Sequence, residues 1–162
     1  MNIALCGFMG SGKTCVGKET AKLTGRKFVD TDELIEQEQG TTIAKIFEEH
    51  GEAYFRDLEH EMCKKVAAMK NVVISTGGGA LTFKRNVDAL KQGSKIILLD
   101  TDFDVICSRI KNADSRPLFK NKENAKKLYN ERKAKYTAAA DIIVDGNMSA
   151  RQTAVEIAEM FK

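Results

Sequence analysis

Residues 7–14 read Gly-Phe-Met-Gly-Ser-Gly-Lys-Thr and carry the clearest structural signal in the chain, because they match the spacing Gly-x-x-x-x-Gly-Lys-Ser/Thr. A short apolar run, Asn2–Cys6, precedes the segment, and a helical pattern follows it. Glycines at these positions let backbone amides surround phosphate oxygens, while Lys13 can reach the β- and γ-phosphates and the Thr14 hydroxyl can bind Mg²⁺. The sequence therefore predicts a nucleotide-binding loop between a strand and a helix.

Short β-branched or apolar runs alternate with longer helical patterns along the rest of the chain. This alternation is typical of an α/β fold with a mainly parallel, buried sheet. Glycines mark several predicted helix ends, and Thr101 and Ser149 stand where helix N-caps are expected. The predicted strands are Asn2–Cys6, Lys27–Asp30, Val72–Thr76, Lys95–Leu99 and Asp141–Val144.

Length and composition favour one globular domain over residues 1–162, with 43% hydrophobic and 30% charged residues. The formal net charge of +3 is too small to indicate a nucleic-acid binder. The charges are unevenly placed, however: residues 109–135 hold ten basic and three acidic side chains, whereas residues 30–61 hold eleven acids against Lys45 and Arg56. This asymmetry suggests a polyanionic ligand near the basic stretch and a metal near the acids.

The four cysteines lie far apart without a Cys-x-x-Cys pair, and no secretory signal is recognisable. We therefore expect reduced packing residues in a cytoplasmic protein. No apolar run reaches the roughly 18 residues that a membrane span requires, so none is expected.

Two aspartates, Asp30 and Asp32, follow the second predicted strand at a spacing of two. If the chain stays extended there, both carboxylates point to one side, toward the crevice at the carboxyl ends of the strands. One could then hold metal-bound water while the other faces an acceptor hydroxyl. An alternative and compatible role for Asp32 is the N-cap of a helix over residues 33–39.

Arg56 and Glu59 are three residues apart on a predicted helix, so they share a face and could form an ion pair; a solvated surface pair is the alternative. Ser75-Thr76 and three consecutive glycines, residues 77–79, end the third predicted strand. The glycines permit backbone conformations closed to other residues and allow main-chain amides to approach a ligand, although a flexible turn has the same composition.

Together these segments resemble those of shikimate kinases, small members of the nucleoside-monophosphate-kinase-like branch of P-loop enzymes. The resemblance covers nearly the whole chain. It rests on residues 7–14, Phe28-Val29-Asp30-Thr31-Asp32, Phe55-Arg56-Asp57-Leu58-Glu59, Gly77-Gly78-Gly79 and Arg116-Pro117-Leu118. It implies a three-layer α/β/α fold with five parallel strands in the order 2-3-1-4-5.

The activity implied by the resemblance is ATP-dependent phosphorylation of the 3-hydroxyl of shikimate, by a monomer that binds small molecules and no nucleic acid. One alternative is a gluconate-type kinase, which shares the loop and the size. A nucleotide-binding switch or nucleic-acid-associated ATPase could also use the loop and the basic stretch, but it would leave Arg56 and Asp32 without a role.

The resemblance also implies site residues. Arg116 would belong to a lid at about residues 111–121, Arg109 would lie along the adenine, and Asn147 matches the family's adenine-contacting loop only loosely. A helical segment at about residues 32–60 would bind the substrate. The nucleotide-binding residues would be Gly10, Ser11, Gly12, Lys13, Thr14, Cys15, Arg109, Arg116 and Asn147, and the catalytic ones Asp32, Lys13 and Arg116.

For the acceptor, the family's pattern assigns a carboxylate-binding role to Arg56 and to Arg132, which stands four residues before Tyr136. Phe47 and Phe55 would lie against the apolar side of the ring, with core packing as the alternative for both. The implied substrate-binding residues are Asp32, Arg56, Gly78, Gly79, Arg132, Phe47 and Phe55, and the implied Mg²⁺-binding residues are Thr14, Asp30 and Ser75.

Overall fold

A five-stranded parallel sheet forms the centre of the molecule in a computed structural model that describes residues 1–110 and 121–162. The strand order is β2-β3-β1-β4-β5, which confirms the order 2-3-1-4-5. The strands are β1 (Asn2–Cys6), β2 (Lys27–Asp30), β3 (Val72–Ser75), β4 (Ser94–Asp100) and β5 (Ile142–Asp145).

Eight α-helices lie on the two faces of this sheet in the described residues. A short 3₁₀ turn, Ala80–Thr82, follows β3. The helices are α1 (Lys13–Thr24), α2 (Thr31–Gln39), α3 (Ile43–His50), α4 (Glu52–Ala67), α5 (Lys84–Lys91), α6 (Phe103–Arg109), α7 (Lys122–Ala139) and α8 (Ala150–Met160).

Alternate residues of each strand feed two separate apolar clusters, because successive side chains of a strand point to opposite faces. On one face, Ile3 and Leu5 of β1 belong to the same cluster as Val16 of α1 and Ile157 of α8. On the other face, Ala4 belongs to the cluster that contains residues of α4, α5 and α7. The resulting three layers confirm the predicted α/β/α architecture.

The carboxyl ends of β1, β2 and β3 meet at one edge of the sheet. Ser75 is the register neighbour of both Asp30 and Leu5, so the segments that follow these three strands begin side by side. The phosphate loop follows β1, the two aspartates lie at the end of β2, and the glycine turn follows β3. Parallel pairing thus assembles the candidate site.

Several predicted helix ends are confirmed, but the one at Thr101 is not. Ser149 caps α8 through a reciprocal capping box with Gln152, and Gly25 ends α1 in the left-handed conformation. Thr101 does not cap α6: the N-cap position belongs to Asp102, and Thr101 is buried. Strand β4 extends one residue further than predicted, to Asp100, and the helix start moves by the same one residue.

The cysteines are free thiols, as expected. Cys6 and Cys63 are buried packing residues, and Cys107 is half-buried. Cys15 is exposed, so the expectation that all four are packing residues is wrong for this one. Its position in the first turn of α1 places it beside the phosphate loop.

No helix in residues 1–110 or 121–162 has both the length and the apolar character needed to cross a membrane.

Candidate active site

A cavity of about 620 Å³ opens where the carboxyl ends of β1, β2 and β3 meet. We call it the central cavity. It brings together residues expected to bind the nucleotide, the Mg²⁺ ion and the acceptor. Its walls include Gly10, Gly12, Lys13, Thr14, Cys15, Asp30, Asp32, Ser75, Gly77, Gly78 and Arg109.

The phosphate loop forms one wall of the central cavity. Gly10 and Gly12 have φ values of 82° and 98°, a region that side chains with a Cβ rarely adopt. The Lys13 ammonium group donates a hydrogen bond of 2.6 Å to the carbonyl of Gly7, so it folds back over the loop. The loop is therefore already curled, with its lysine held at the start of α1.

Asp30 and Asp32 form the opposite wall, in a geometry that differs from the expected one. Asp30 is the N-cap of α2, and its Oδ1 accepts hydrogen bonds from the backbone amides of Asp32 (2.9 Å) and Glu33 (3.2 Å). The chain is thus helical, not extended, at Asp32, and the expectation that Asp32 could cap the helix is wrong. Both carboxylates nevertheless line the same cavity.

The carboxylate of Asp32 is mostly withdrawn from solvent, and its Oδ1 has no hydrogen-bond partner in the described part of the chain. Burial, reinforced by the charge of Asp30 and opposed by Lys13, raises the pKa of Asp32 to about 6. A carboxylate without a partner in a cavity can accept a hydrogen bond from a ligand hydroxyl. It can also take up a proton near neutral pH.

Arg56 and Glu59 form a buried pair rather than the alternative surface pair. Nη1 of Arg56 lies 3.0 Å from Oε1 of Glu59, and the Glu59 side chain is only 1% exposed. Burial, partly offset by Arg56, raises the pKa of Glu59. The guanidinium carbon lies 5.4 Å from the ring centre of Phe55 and 5.0 Å from that of Phe83. Charge and aromatic contacts together fix the orientation of Arg56.

The three consecutive glycines allow other groups to approach the backbone closely. The expectation that they adopt a backbone conformation closed to other residues is wrong. None of them has a positive φ. A Cβ atom added at Gly77 would lie 2.6 Å from Oδ1 of Asp32, and one added at Gly79 would lie 2.8 Å from Nη1 of Arg56. Residues 77–79 therefore let both functional side chains reach the backbone of the turn.

Helix α7 closes the acceptor side of the site. A Cβ atom added at Gly78 would lie 3.2 Å from Nη1 of Arg132, whose guanidinium also lies 5.9 Å from the ring centre of Phe8. The buried Tyr136 hydroxyl, one helical turn further, donates a hydrogen bond to the Gly78 carbonyl. The guanidinium groups of Arg56, on α4, and Arg132, on α7, thus lie against the same glycine turn.

Phe47 and Phe55 lie together, with ring centres 4.9 Å apart. Phe55 belongs to the apolar core, as the packing alternative requires, whereas Phe47 is 36% exposed. Phe83 was not identified from the sequence, although it contacts Arg56. Its position four residues after Gly79 was the available signal, but only the tertiary fold shows which way the ring packs.

A second cavity, of about 220 Å³, lies beside the phosphate loop on the side of β5. Arg109 spans it: Nη1 donates to the Ser11 carbonyl (3.0 Å) and Nη2 to the Gly146 carbonyl (2.7 Å). Asn147 turns away, because its side-chain oxygen accepts from the Asp102 amide. The walls of this cavity are Ser11, Gly12, Cys15, Val16, Arg109, Gly146, Met148, Ser149 and Ala150.

The residues predicted to bind Mg²⁺, Thr14, Asp30 and Ser75, all line the central cavity. The described residues contain no cluster of three or more His, Cys, Asp or Glu side chains that could enclose a metal by themselves. Mg²⁺ usually keeps several waters and binds through one or two protein oxygens and the substrate phosphates. The donor set fits such an ion.

Arg116 and residues 111–120 of the predicted lid lie outside the described residues.

A phosphate loop after the central β1 strand lines one cavity with an acceptor-side carboxylate, and two arginines lie against the glycine turn that borders this cavity. This arrangement defines a P-loop kinase. The family model of shikimate kinase matches residues 9–162. This chain therefore belongs to the shikimate kinase family.

Individual relatives agree with this assignment. The shikimate kinase of Persephonella marina is 47% identical over 142 residues, which cover 87% of this chain and 86% of the relative. The structure of shikimate kinase from Acinetobacter baumannii in complex with shikimate has a TM-score of 0.90 and 35% identity, covering 99% of this chain and 92% of that one.

The gluconate-type alternative has only a distant counterpart. A gluconokinase structure from Sinorhizobium meliloti covers 99% of this chain and 94% of its own, with a TM-score of 0.58 and 14% identity. That likeness shows a shared fold alone.

Proposed function

We propose that this chain transfers the γ-phosphoryl group of ATP to the 3-hydroxyl of shikimate, giving ADP and shikimate 3-phosphate. The observation that carries the proposal is Asp32, whose buried Oδ1 has no hydrogen-bond partner in the described chain and which lines the same cavity as the phosphate loop. Membership of the shikimate kinase family identifies the acceptor.

The nucleotide occupies the phosphate loop and the adjoining 220 Å³ cavity. Backbone amides of residues 10–15 surround its phosphates at the N-terminus of α1, and Lys13 neutralises charge on the transferred group. Arg109 lies along the adenine, and Asn147, whose side chain accepts from the Asp102 amide, supports the loop after β5 beside the adenine. For Arg116, outside the described residues, the proposed role is to stabilise negative charge on the transferring phosphate.

The acceptor binds between α4 and α7. The planar guanidinium groups of Arg56 and Arg132 bind its carboxylate, because each can donate two parallel hydrogen bonds. Glu59 holds Arg56 in place. The backbone of Gly78 and Gly79 approaches the ring hydroxyls, while Phe47 and Phe55 contact the apolar side of the ring.

Asp32 orients the 3-hydroxyl toward the terminal phosphate and accepts its proton as the new oxygen–phosphorus bond forms. Its pKa of about 6 keeps it ionised at neutral pH yet able to hold the proton. Positioning and charge stabilisation supply most of the rate in such transfers.

Thr14, Asp30 and Ser75 would hold Mg²⁺ in the central cavity. When bound, the ion neutralises charge on the nucleotide phosphates.

We further propose that the protein is a cytoplasmic monomer with a single domain over residues 1–162, and that it binds no nucleic acid.

An ADP-release assay with shikimate, quinate and gluconate as separate acceptors tests the proposal. We expect turnover with shikimate and at most a minor rate with quinate. Turnover with gluconate alone would support the gluconate-type alternative. Filter binding with single- and double-stranded nucleic acid is the companion test, and salt-dependent micromolar binding would contradict the small-molecule assignment.

A further inference from the structure

Asn86, on α5, has a buried side chain. It is not one of the substrate-contacting residues described above. It is 1% exposed, and both of its polar ends are used. Nδ2 donates a hydrogen bond of 2.9 Å to the carbonyl of Ala80, and Oδ1 lies 3.0 Å from Nδ1 of His60. Asn86 thus joins the glycine turn to α4.

The network fixes the direction of both hydrogen bonds. A carbonyl oxygen can only accept, so the amide nitrogen of Asn86 faces Ala80 and its oxygen faces His60. Nδ1 of His60 therefore carries the hydrogen. Each group in this bridge has one role, and an isosteric change of Asn86 to aspartate removes the donor to Ala80.

The two anchoring points of the bridge adjoin the two parts of the acceptor site. Ala80 directly follows Gly79, where an added Cβ atom would lie 2.8 Å from Nη1 of Arg56. His60 directly follows Glu59, which pairs with the same guanidinium at 3.0 Å. The bridge therefore fixes the spacing between the turn and the α4 face that carries Arg56.

We propose that Asn86, with His60, is a positioning residue for the acceptor site, which holds the glycine turn against α4 without touching either substrate. The inference rests on the proposed function for the identity of the acceptor. Small displacements of binding groups have large effects on the reaction, so loss of the bridge should weaken acceptor binding. The phosphate loop follows a different strand, β1, so nucleotide binding should be unaffected.

Asn2 provides a matched control. It is also 1% exposed and also bridges two segments: Nδ2 donates to the Met69 carbonyl (2.8 Å) and Oδ1 accepts from the Val72 amide (3.1 Å). This bridge lies at the amino end of β1, opposite the site. Asn2→Asp and Asn86→Asp should therefore lower thermal stability alike but differ in their effect on the site.

The test compares wild type, Asn86→Asp, His60→Ala and Asn2→Asp by steady-state kinetics and by amide hydrogen exchange. We expect Asn86→Asp to raise KM for shikimate about tenfold, with KM for ATP within about twofold. His60→Ala, which leaves the core filled, should raise KM for shikimate about threefold. Both should speed exchange of the amides of residues 77–82, and Asn2→Asp should change neither property.

An unchanged KM for shikimate and unchanged exchange in His60→Ala and Asn86→Asp would overturn the positioning role, as would the same KM split in Asn2→Asp. If Asn86→Asp does not fold, His60→Ala decides. Wild-type protein inactive on shikimate would overturn the proposed function instead, and the exchange data would still decide the role of Asn86.

Discussion

Replacing Asp32 by asparagine should abolish most of the activity and at the same time stabilise the fold. The carboxylate is ionised at neutral pH although burial and the neighbouring Asp30 disfavour its charge. Asparagine has nearly the same shape but no charge, so it removes that unfavourable interaction. The same change removes the group that orients the hydroxyl and accepts its proton.

The size of the stabilisation follows from the pKa. The folded protein raises the pKa of Asp32 from 3.8 to about 6, and each pKa unit corresponds to about 1.4 kcal/mol. Ionised Asp32 thus disfavours the folded state by up to about 3 kcal/mol at neutral pH. The penalty begins near pH 4, where the unfolded chain ionises, and is complete above about pH 6.

Urea unfolding at pH 7.5 and pH 5 measures this effect. We expect the free energy of unfolding of Asp32→Asn to exceed that of wild type by about 1–3 kcal/mol at pH 7.5, and the difference to fall by about half at pH 5. The control Asp57→Asn removes an exposed carboxylate paired with Arg85 at 3.0 Å and should lower stability by less than about 1 kcal/mol.

Kinetics complete the test. Asp32→Asn should lower kcat by about 10²- to 10⁴-fold with KM for ATP little changed. A variant that is no more stable than wild type at pH 7.5, or one with near-normal turnover, would refute the role given to Asp32.

Three further results are expected. Arg56→Lys keeps the charge but loses the planar fork, so KM for shikimate should rise about 10- to 100-fold in the ADP-release assay while KM for ATP is little altered; an unchanged KM for shikimate would count against the carboxylate assignment. In wild type, kcat/KM for shikimate should fall in proportion to acidity below about pH 6, because protonated Asp32 cannot accept the hydroxyl proton, and a profile flat down to pH 5 would assign the proton elsewhere. Gly79→Ala places a Cβ 2.8 Å from Nη1 of Arg56, so KM for shikimate should rise about tenfold; normal kinetics would mean that the guanidinium can move aside at no cost.

The features that depend on local sequence were predictable. The phosphate loop needs particular residues at fixed spacing between a strand and a helix, and this pattern is visible without a fold. Strand β2 and the capping of α8 by Ser149 were likewise local. The order of the strands was not, because hydrophobic patterns do not state which strands pair; it came from the family resemblance.

Sequence-based expectations were wrong or incomplete where tertiary contacts or the exact start of a helix decided the structure. Spacing alone could not show that α2 begins two residues earlier than predicted, which makes Asp30 the cap and puts Asp32 inside the helix. The burial of the Arg56–Glu59 pair depends on the glycine turn and on Phe83, which are distant in sequence. The bridge through Asn86 was invisible for the same reason.

A crystal structure with shikimate and a non-hydrolysable ATP analogue bound together is the most direct test of the central claim. It should show the 3-hydroxyl within hydrogen-bond distance of the Asp32 carboxylate, the shikimate carboxylate on Arg56 and Arg132, and the terminal phosphate beside Lys13. Shikimate bound outside the central cavity, or with its carboxylate turned away from both arginines, would contradict the account.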